Sequence, residues 1–325
     1  MAQNVRVLNR ESVFNTADFK ACHASTVVAL NKNTIMAAWF GGEHEGSDDV
    51  CIWTAVRKDN HWSRPVKVAD GTGMDSKIHA TWNPVLFKAL NGKLYLHYKI
   101  GINPREWKAF YKTSSDNGKT WGKPCAMPDG FLGPIKNKPI QLKNGTIFYP
   151  SSVESVDEKL WTIHLEVSDA NIANWRKISI KCDTFQAIQP SILLYPGNKM
   201  QLLARSKQNV IVQSWSVDGG KTWSKVTGTT IPNPNSGIDA VTTGNGLQLL
   251  VYNPLKSGKD WWEGRSVLKL ACSSDGITWQ DLLTFEDQKT GEFSYPAIIC
   301  DKAGFIHATW TDNRKKITYV KMKIY

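Results

Sequence analysis

One histidine, a knot of carboxylates, a tyrosine close to a glutamate and an isolated arginine are the groups in this chain best suited to move protons or hold a charge. His23 lies in Cys-His-Ala-Ser-Thr. Glu43, Glu45, Asp48 and Asp49 crowd the loop that starts at Gly42. Glu292 precedes Tyr295 by three residues, and Arg205 closes an apolar run. A carboxyl can protonate a departing oxygen, a phenol or imidazole can carry a proton or attack, and a guanidinium grips an anion by two parallel hydrogen bonds. Lys99, Lys136 and Lys138 could add positive charge, and Gln189, Asn235 and Ser236 could hydrogen-bond a polar ligand. Trp82 could stack on a sugar ring. The six cysteines have no CxxC spacing and several stand in apolar runs, which argues against a metal site and against a disulfide framework.

These residues are spread over most of the chain, so a repeating scaffold must gather them. Ser114–Trp121 reads SSDNGKTW, Ser216–Trp223 reads SVDGGKTW and Ser273–Trp279 reads SSDGITW, with weaker echoes at Ser168–Trp175 and Arg57–Trp62. An Asp that satisfies its own turn, a Gly free to take positive φ and a closing Trp describe a tight turn pinned to a sheet by a buried ring. A second series of Gly/Asn/Lys turns, near Lys32, Asn91, Asn144, Gly197, Asn245 and Ala303, recurs every 48 to 59 residues. Each is flanked by β-rich runs, as in a hairpin.

A repeat of this length with several short strands predicts a four-stranded propeller blade, and no stretch has sustained helical spacing. The sixth turn leaves too little chain for a whole blade. The N-terminal run Asn4–Leu8, or Val13 after it, is expected to supply the missing outer strand and close the ring. The expectation is an all-β, six-bladed propeller forming a single domain over residues 1–325. Loops of six blades then converge on one end of a central channel. The hairpin turns used as rulers place His23, the blade-one acids, Lys136, Lys138, Gln189, Arg205, Asn235, Ser236, Glu292 and Tyr295 there.

Lysine and arginine total 40 against 29 acids, for a formal charge of +11, but the basic residues are scattered. That permits an acidic small substrate, and no nucleic-acid module is visible, so no nucleic-acid partner is expected. The N-terminus has no apolar signal region and no apolar stretch is long enough to span a bilayer, so a cytoplasmic chain without membrane association is expected. Fourteen tryptophans exceed what the turns use; Trp82, Trp107, Trp261 and Trp262 fall in or near predicted loops, as candidates for stacking on sugars.

The SxDxGxTW turns resemble the Asp-boxes, or BNR repeats, of sialidases, and AWFGGEHEG, GPIKNKP, NPNSGIDA and FSYPAI resemble the BNR-repeat-like branch. The resemblance implies a sialidase-type propeller acting on carbohydrate without a cofactor or metal. Carried over by position, it assigns Tyr295 as nucleophile, Arg205 as the middle arginine of a three-arginine carboxylate clamp, and the blade-one loop as acid/base, with Asp48 or Asp49 foremost and Glu43 or Glu45 as alternatives. Glu292 or another neighbour would activate Tyr295. The chain departs from the pattern where His23 stands in place of the first clamp arginine and Gln189 in place of the glutamate that polarises the tyrosine. NPNSGIDA carries no arginine for the third. The leading expectation is an exo-acting glycoside hydrolase on an acidic sugar. A uronate-glycan lyase, with His23 and Tyr295 as base and acid, and a non-catalytic glycan-binding propeller are the alternatives.

Overall fold

A computed structural model describes residues 3–260 and 262–325, and Trp261 lies outside them. β1 (Val5–Ser12) leads the chain. Blade one holds β2 (Ala21–Asn31), β3 (Thr34–Gly42) and β4 (Cys51–Lys58), with the short β5 (His61–Trp62) and β6 (Val66–Ala69) both on β4. Blade two is β7 (Thr81–Lys88), β8 (Leu94–Ile100), β9 (Lys108–Ser114) and β10 (Cys125–Ala126). Blade three is β11 (Ile140–Gln141), β12 (Ile147–Glu154), β13 (Trp161–Ser168) and β14 (Arg176–Ser179). Blade four is β15 (Ala187–Leu194), β16 (Met200–Ser206), β17 (Val210–Ser216) and β18 (Thr227–Pro232). Blade five is β19 (Asp239–Thr242), β20 (Gln248–Tyr252), β21 (Val267–Ser273) and β22 (Gln280–Asp287). Blade six is β23 (Phe293–Cys300), β24 (Phe305–Asp312) and β25 (Lys316–Ile324), with β1 outermost. All neighbouring strands run antiparallel.

Each blade is a small twisted sheet that cannot bury its apolar faces alone, so the faces pair around a ring. Buried clusters join blades one and two (Met36, Phe40, Leu94, Tyr98), two and three (Phe87, Tyr95, Tyr149), and three and four (Phe148, Leu165, Leu202). Others join four and five (Leu203, Leu250), five and six (Leu268, Ile298, Trp310), and six and one (Trp39, Ile317, Tyr319). With all six junctions filled, the ring is closed and six-bladed.

The repeated turns serve these junctions. Ser114 Oγ accepts the Gly118 N–H at 2.8 Å and donates to Asp116 at 2.7 Å, while Asp116 accepts the Thr120 N–H at 3.0 Å. Ser216, Asp218 and Gly220 repeat this, as do Ser273, Asp275 and Gly276. These bonds hold the Asp116 and Asp218 carboxyls far below the ordinary carboxylate range. Gly118 takes φ +81°, which favours glycine, and a Cβ there would stand 2.3 Å from the terminal methyl of Met36 of the preceding blade, which would have to shift. The closing tryptophans are half-buried rather than enclosed; the Trp223 and Trp279 indoles donate to the carbonyls of Gly220 and Gly276.

β1 pairs with β25 from Val5 opposite Ile324 to Ser12 opposite Thr318, so the N-terminal run expected to close the ring does so. At the end of β1, Glu11 clasps blade one. Its carboxylate accepts from the buried Arg57 at 2.6 Å and from the Trp62 indole at 3.1 Å, and Arg57 lies over the Tyr319 ring of blade six. Removing one partner of such a pair strands the other charge in the interior. Glu11→Ala is therefore expected to lower unfolding free energy by about 3 kcal/mol, read from the urea midpoint at unchanged slope.

Candidate functional site

Four inner strands share one irregularity. In β2, β7, β15 and β23 an extra residue breaks the register, between His23 and Thr26, Trp82 and Val85, Ile188 and Ser191, and Ser294 and Ala297. The first bulged residue is left-handed each time: Ala24 at φ 55°, Asn83 at 39°, Gln189 at 57° and Tyr295 at 51°. A non-glycine residue held there stores on the order of 1–3 kcal/mol, and such outliers concentrate where function needs a side chain re-aimed. In three of the four the next residue is proline, Pro84, Pro190 or Pro296. Lacking an N–H, proline fills the unpaired place of a bulge without stranding a donor.

The bulge of β23 turns the half-buried Tyr295 ring among cationic groups from other blades. The His23 imidazole packs on it at 4.2 Å between centroids, tilted by 49°. The Arg205 guanidinium lies 5.4 Å over the ring and the Lys136 ammonium 5.9 Å from its centre. Arg205 and Arg265 share one anchor, the Asn235 carbonyl, at 3.0 and 3.5 Å. Together with Glu45, Trp161, Lys207, Asp260, Tyr295 and Arg314, these two arginines line an open cleft of about 520 Å³.

The three arginines differ in how their charge is met. Glu292 bridges two of them: Arg265 donates to it at 3.0 Å and Arg314 at 2.8 Å, with Ser294 Oγ adding a bond at 2.9 Å. Burial would raise the Glu292 carboxyl, but Arg314, Arg265 and Ser294 more than reverse this and hold it below its ordinary value. Arg314 also pairs with Glu45 of the blade-one loop. Burial pulls the Arg265 guanidinium down, opposed by Tyr295 and Glu292. Arg205 is different. It is 6% exposed, its Nε has no hydrogen-bond partner, and among the described residues no carboxylate comes within ion-pairing distance. Glu154 faces it from farther off, and burial raises the Glu154 carboxyl.

His23 is 2% exposed with an unpartnered Nδ1. Burial first, then the charges of Arg314, Arg265, Arg205 and Lys136, push its pKa well below the usual imidazole value. It is a neutral base in contact with Tyr295.

The structure thus brings His23, Arg205, Asn235, Glu292 and Tyr295 into one neighbourhood. Glu43, Asp48 and Asp49 are exposed; Glu43 pairs with Lys20 and its N–H donates to Asp49, and of the loop acids Glu45 lines the cleft. Trp82 lies in the core, its indole donating to the Gly101 carbonyl at 2.8 Å and its ring against Phe40 and Trp107, so it offers no face to a sugar. Lys99 is fully buried and donates to the Pro134 carbonyl, which removes it from any carboxylate clamp. Lys136 and Lys138 turn into the channel, where protein acceptors hold them. Ser236 is fully buried, and Gln189 lies in the channel with its N–H on Ser152.

Four of the cleft residues named above escaped the sequence reading as site candidates: Arg265, Trp161, Lys207 and Asp260. Arg265 and Trp161 sit at or just before the start of a third strand, β21 and β13, whereas the hairpin turns track only first and second strands. Trp161 carries Arg205 at 5.6 Å and Lys207 at 4.3 Å over its ring.

The sequence matches the BNR repeat-like domain family over residues 33–308. No curated protein matches it. Among solved structures the chain is similar to a protein of unknown function from Dyadobacter fermentans, at 14% identity and a TM-score of 0.79, covering 99% of this chain and 100% of that one. It is similar to the NanB sialidase of Streptococcus pneumoniae at 14% identity and a TM-score of 0.73, covering 96% of this chain and 70% of that one. An α-L-arabinanase of Penicillium chrysogenum, complexed with arabinobiose, is similar at 14% identity and a TM-score of 0.71, covering 98% of each chain. At these identities the likeness concerns the fold.

Proposed function

We propose, for a chain that belongs to the BNR repeat-like domain family, that the cleft around Tyr295 hydrolyses a glycosidic bond of an acidic, carboxylate-bearing sugar. The observation that carries this reading is Arg205, a buried guanidinium in a cleft wall with no carboxylate within ion-pairing distance among the described residues. A buried charge is costly unless an opposite charge joins it, and a planar carboxylate matches the guanidinium fork. Arg265, tied to the same Asn235 carbonyl, supplies a second cation beside it.

With the carboxylate held there, Tyr295 attacks the anomeric carbon. Its proton passes to a neutral base, and His23 is the neutral imidazole packed against the ring. The cations around the ring stabilise the phenolate. A carboxyl of the blade-one loop gives its proton to the leaving oxygen; Glu45 lines the cleft but is ion-paired with Arg314, so the donor falls to its loop neighbours Asp48 or Asp49. Water then attacks the anomeric carbon and gives its proton to the loop carboxylate, while the departing Tyr295 phenolate takes back the proton held by His23. Glu292, locked between Arg265 and Arg314, acts as a brace for those arginines rather than as a base.

The neutral His23 also favours a second reading, elimination from a uronate. There the imidazole removes the proton next to a carboxylate neutralised by Arg205, and Tyr295 protonates the leaving oxygen. A panel of sialosides, uronides and neutral aryl glycosides separates the two. On substrates with a non-aromatic aglycone, hydrolysis releases a saturated sugar with no new ultraviolet absorbance, whereas elimination leaves an unsaturated, absorbing uronate. No turnover of any acidic substrate would remove both.

A further inference from the structure

Blade three sends three consecutive side chains across the channel, each to a different blade. Asn137 Nδ2 donates to the carbonyls of Gln189 and Pro190, the bulge of blade four, at 2.9 and 3.1 Å. Lys138 Nζ pairs with Asp239 of blade five at 2.8 Å and donates to the Ala240 carbonyl. Lys136 Nζ donates to the Pro296 carbonyl of blade six, to the Ile238 carbonyl at 3.0 Å and to Asn137 Oδ1 at 2.9 Å. Lys136 is 4% exposed, and its three N–H donors have three acceptors.

Its packing against Tyr295 is tight. A Cβ built on Gly237 would meet Lys136 Cε at 3.2 Å, Tyr295 Cδ2 at 3.2 Å and Tyr295 Cγ at 3.3 Å, so the glycine leaves room for the lysine stem to lie against the base of the ring. The Pro296 carbonyl belongs to the second residue of the bulge that holds Tyr295 at positive φ. A strained backbone keeps its conformation only while its surroundings over-determine it.

We propose that Lys136 is a positioning residue for Tyr295: its ammonium, bonded to the Pro296 carbonyl, holds the strained bulge that aims the phenol ring into the cleft. This rests on the reading of Tyr295 as the reacting group. Of the three acceptors, two are neutral carbonyls and one an amide oxygen, so loss of a proton would leave a nitrogen lone pair facing one of them. The groups facing Lys136 are His23 of blade one, Lys138 of its own segment, Arg205 of blade four, Asp239 of blade five and Tyr295 of blade six. Burial lowers its pKa to about 7, with Asp239 opposing the shift and Lys138 and Arg205 adding to it. The consequence is an alkaline limit on activity. Stability moves the other way: a lysine with a depressed folded pKa binds fewer protons than the unfolded chain between about 7 and its ordinary value, so its contribution to stability rises with pH across that window.

Lys136→Met tests this. Displacing a reacting group by about 1 Å can cost about 10²-fold, so kcat is expected to fall by about that factor with KM within about threefold. The alkaline limb of the unmutated protein's kcat profile should be absent from the residual activity. In a crystal structure of the variant, Tyr295 should leave its contact with His23. Crystals of the unmutated protein at about pH 5.5 and about pH 9, on either side of the titration, give the same test without a substitution: the ring is in place at the lower and displaced at the higher. An unmoved Tyr295 in the variant or at high pH overturns the proposal, as does a variant with an unchanged alkaline limb. The crystallographic arm needs no substrate, so it decides the role of Lys136 even where the glycan screen returns no turnover.

Discussion

Tyr295→Phe is expected to lower kcat by at least about 10³-fold while KM stays within about threefold and the thermal midpoint is unchanged. Phenylalanine keeps the ring that stacks on His23 and lies under Arg205, so the cleft retains its shape and its cations. Only the oxygen is lost. A group that acts in the transition state alone shows its loss in kcat and in kcat/KM equally. A fall of less than about tenfold would mean that Tyr295 neither attacks nor passes a proton.

Arg205→Met is expected to act in opposite directions on binding and on stability. Losing a desolvated guanidinium that meets a carboxylate costs about 2–5 kcal/mol of binding, so KM for an acidic sugar should rise by about 30-fold or more. The same variant should unfold at higher urea, by about 1 kcal/mol, because methionine fills the space without a buried charge that lacks a carboxylate partner. Arg265→Met should instead lower stability, since Glu292 would lose one of its two arginine partners. If Arg205→Met proved as destabilising as Arg265→Met, the Arg205 charge would be met within the protein and the argument for an anionic ligand would fail.

The scaffold was legible because its sequence signals are local. The Ser–Asp–Gly turns need particular side chains at fixed offsets, and a Cβ on Gly118 would displace the end of Met36 of the preceding blade. The count of six follows from the spacing of the Gly/Asn/Lys hairpin turns, and the outer position of β1 from the chain left over at the end. The site was legible only in part, since the turns say which loop a residue occupies but not which way it faces. Trp82 and Lys99 are opposed across one register step of β7 and β8, and both face inward to the core. Lys136 and Lys138 carry charges that could have served a ligand, yet the channel supplies their acceptors. Arg265 was missed because the connection from β20 to β21 is long and the arginine stands at its far end. Three of the four bulges left a readable mark, an X-Pro step inside an inner strand at Asn83, Gln189 and Tyr295, because proline tolerates the position that a bulge leaves unpaired.

The most direct measurement compares one aryl glycoside of an acidic sugar with the same compound after reduction of its carboxylate to an alcohol. If Arg205 and Arg265 exist to hold that carboxylate, the acid is cleaved with Tyr295 intact and the alcohol is not. Equal cleavage of the two, or cleavage of the alcohol alone, would contradict a carboxylate-binding cleft.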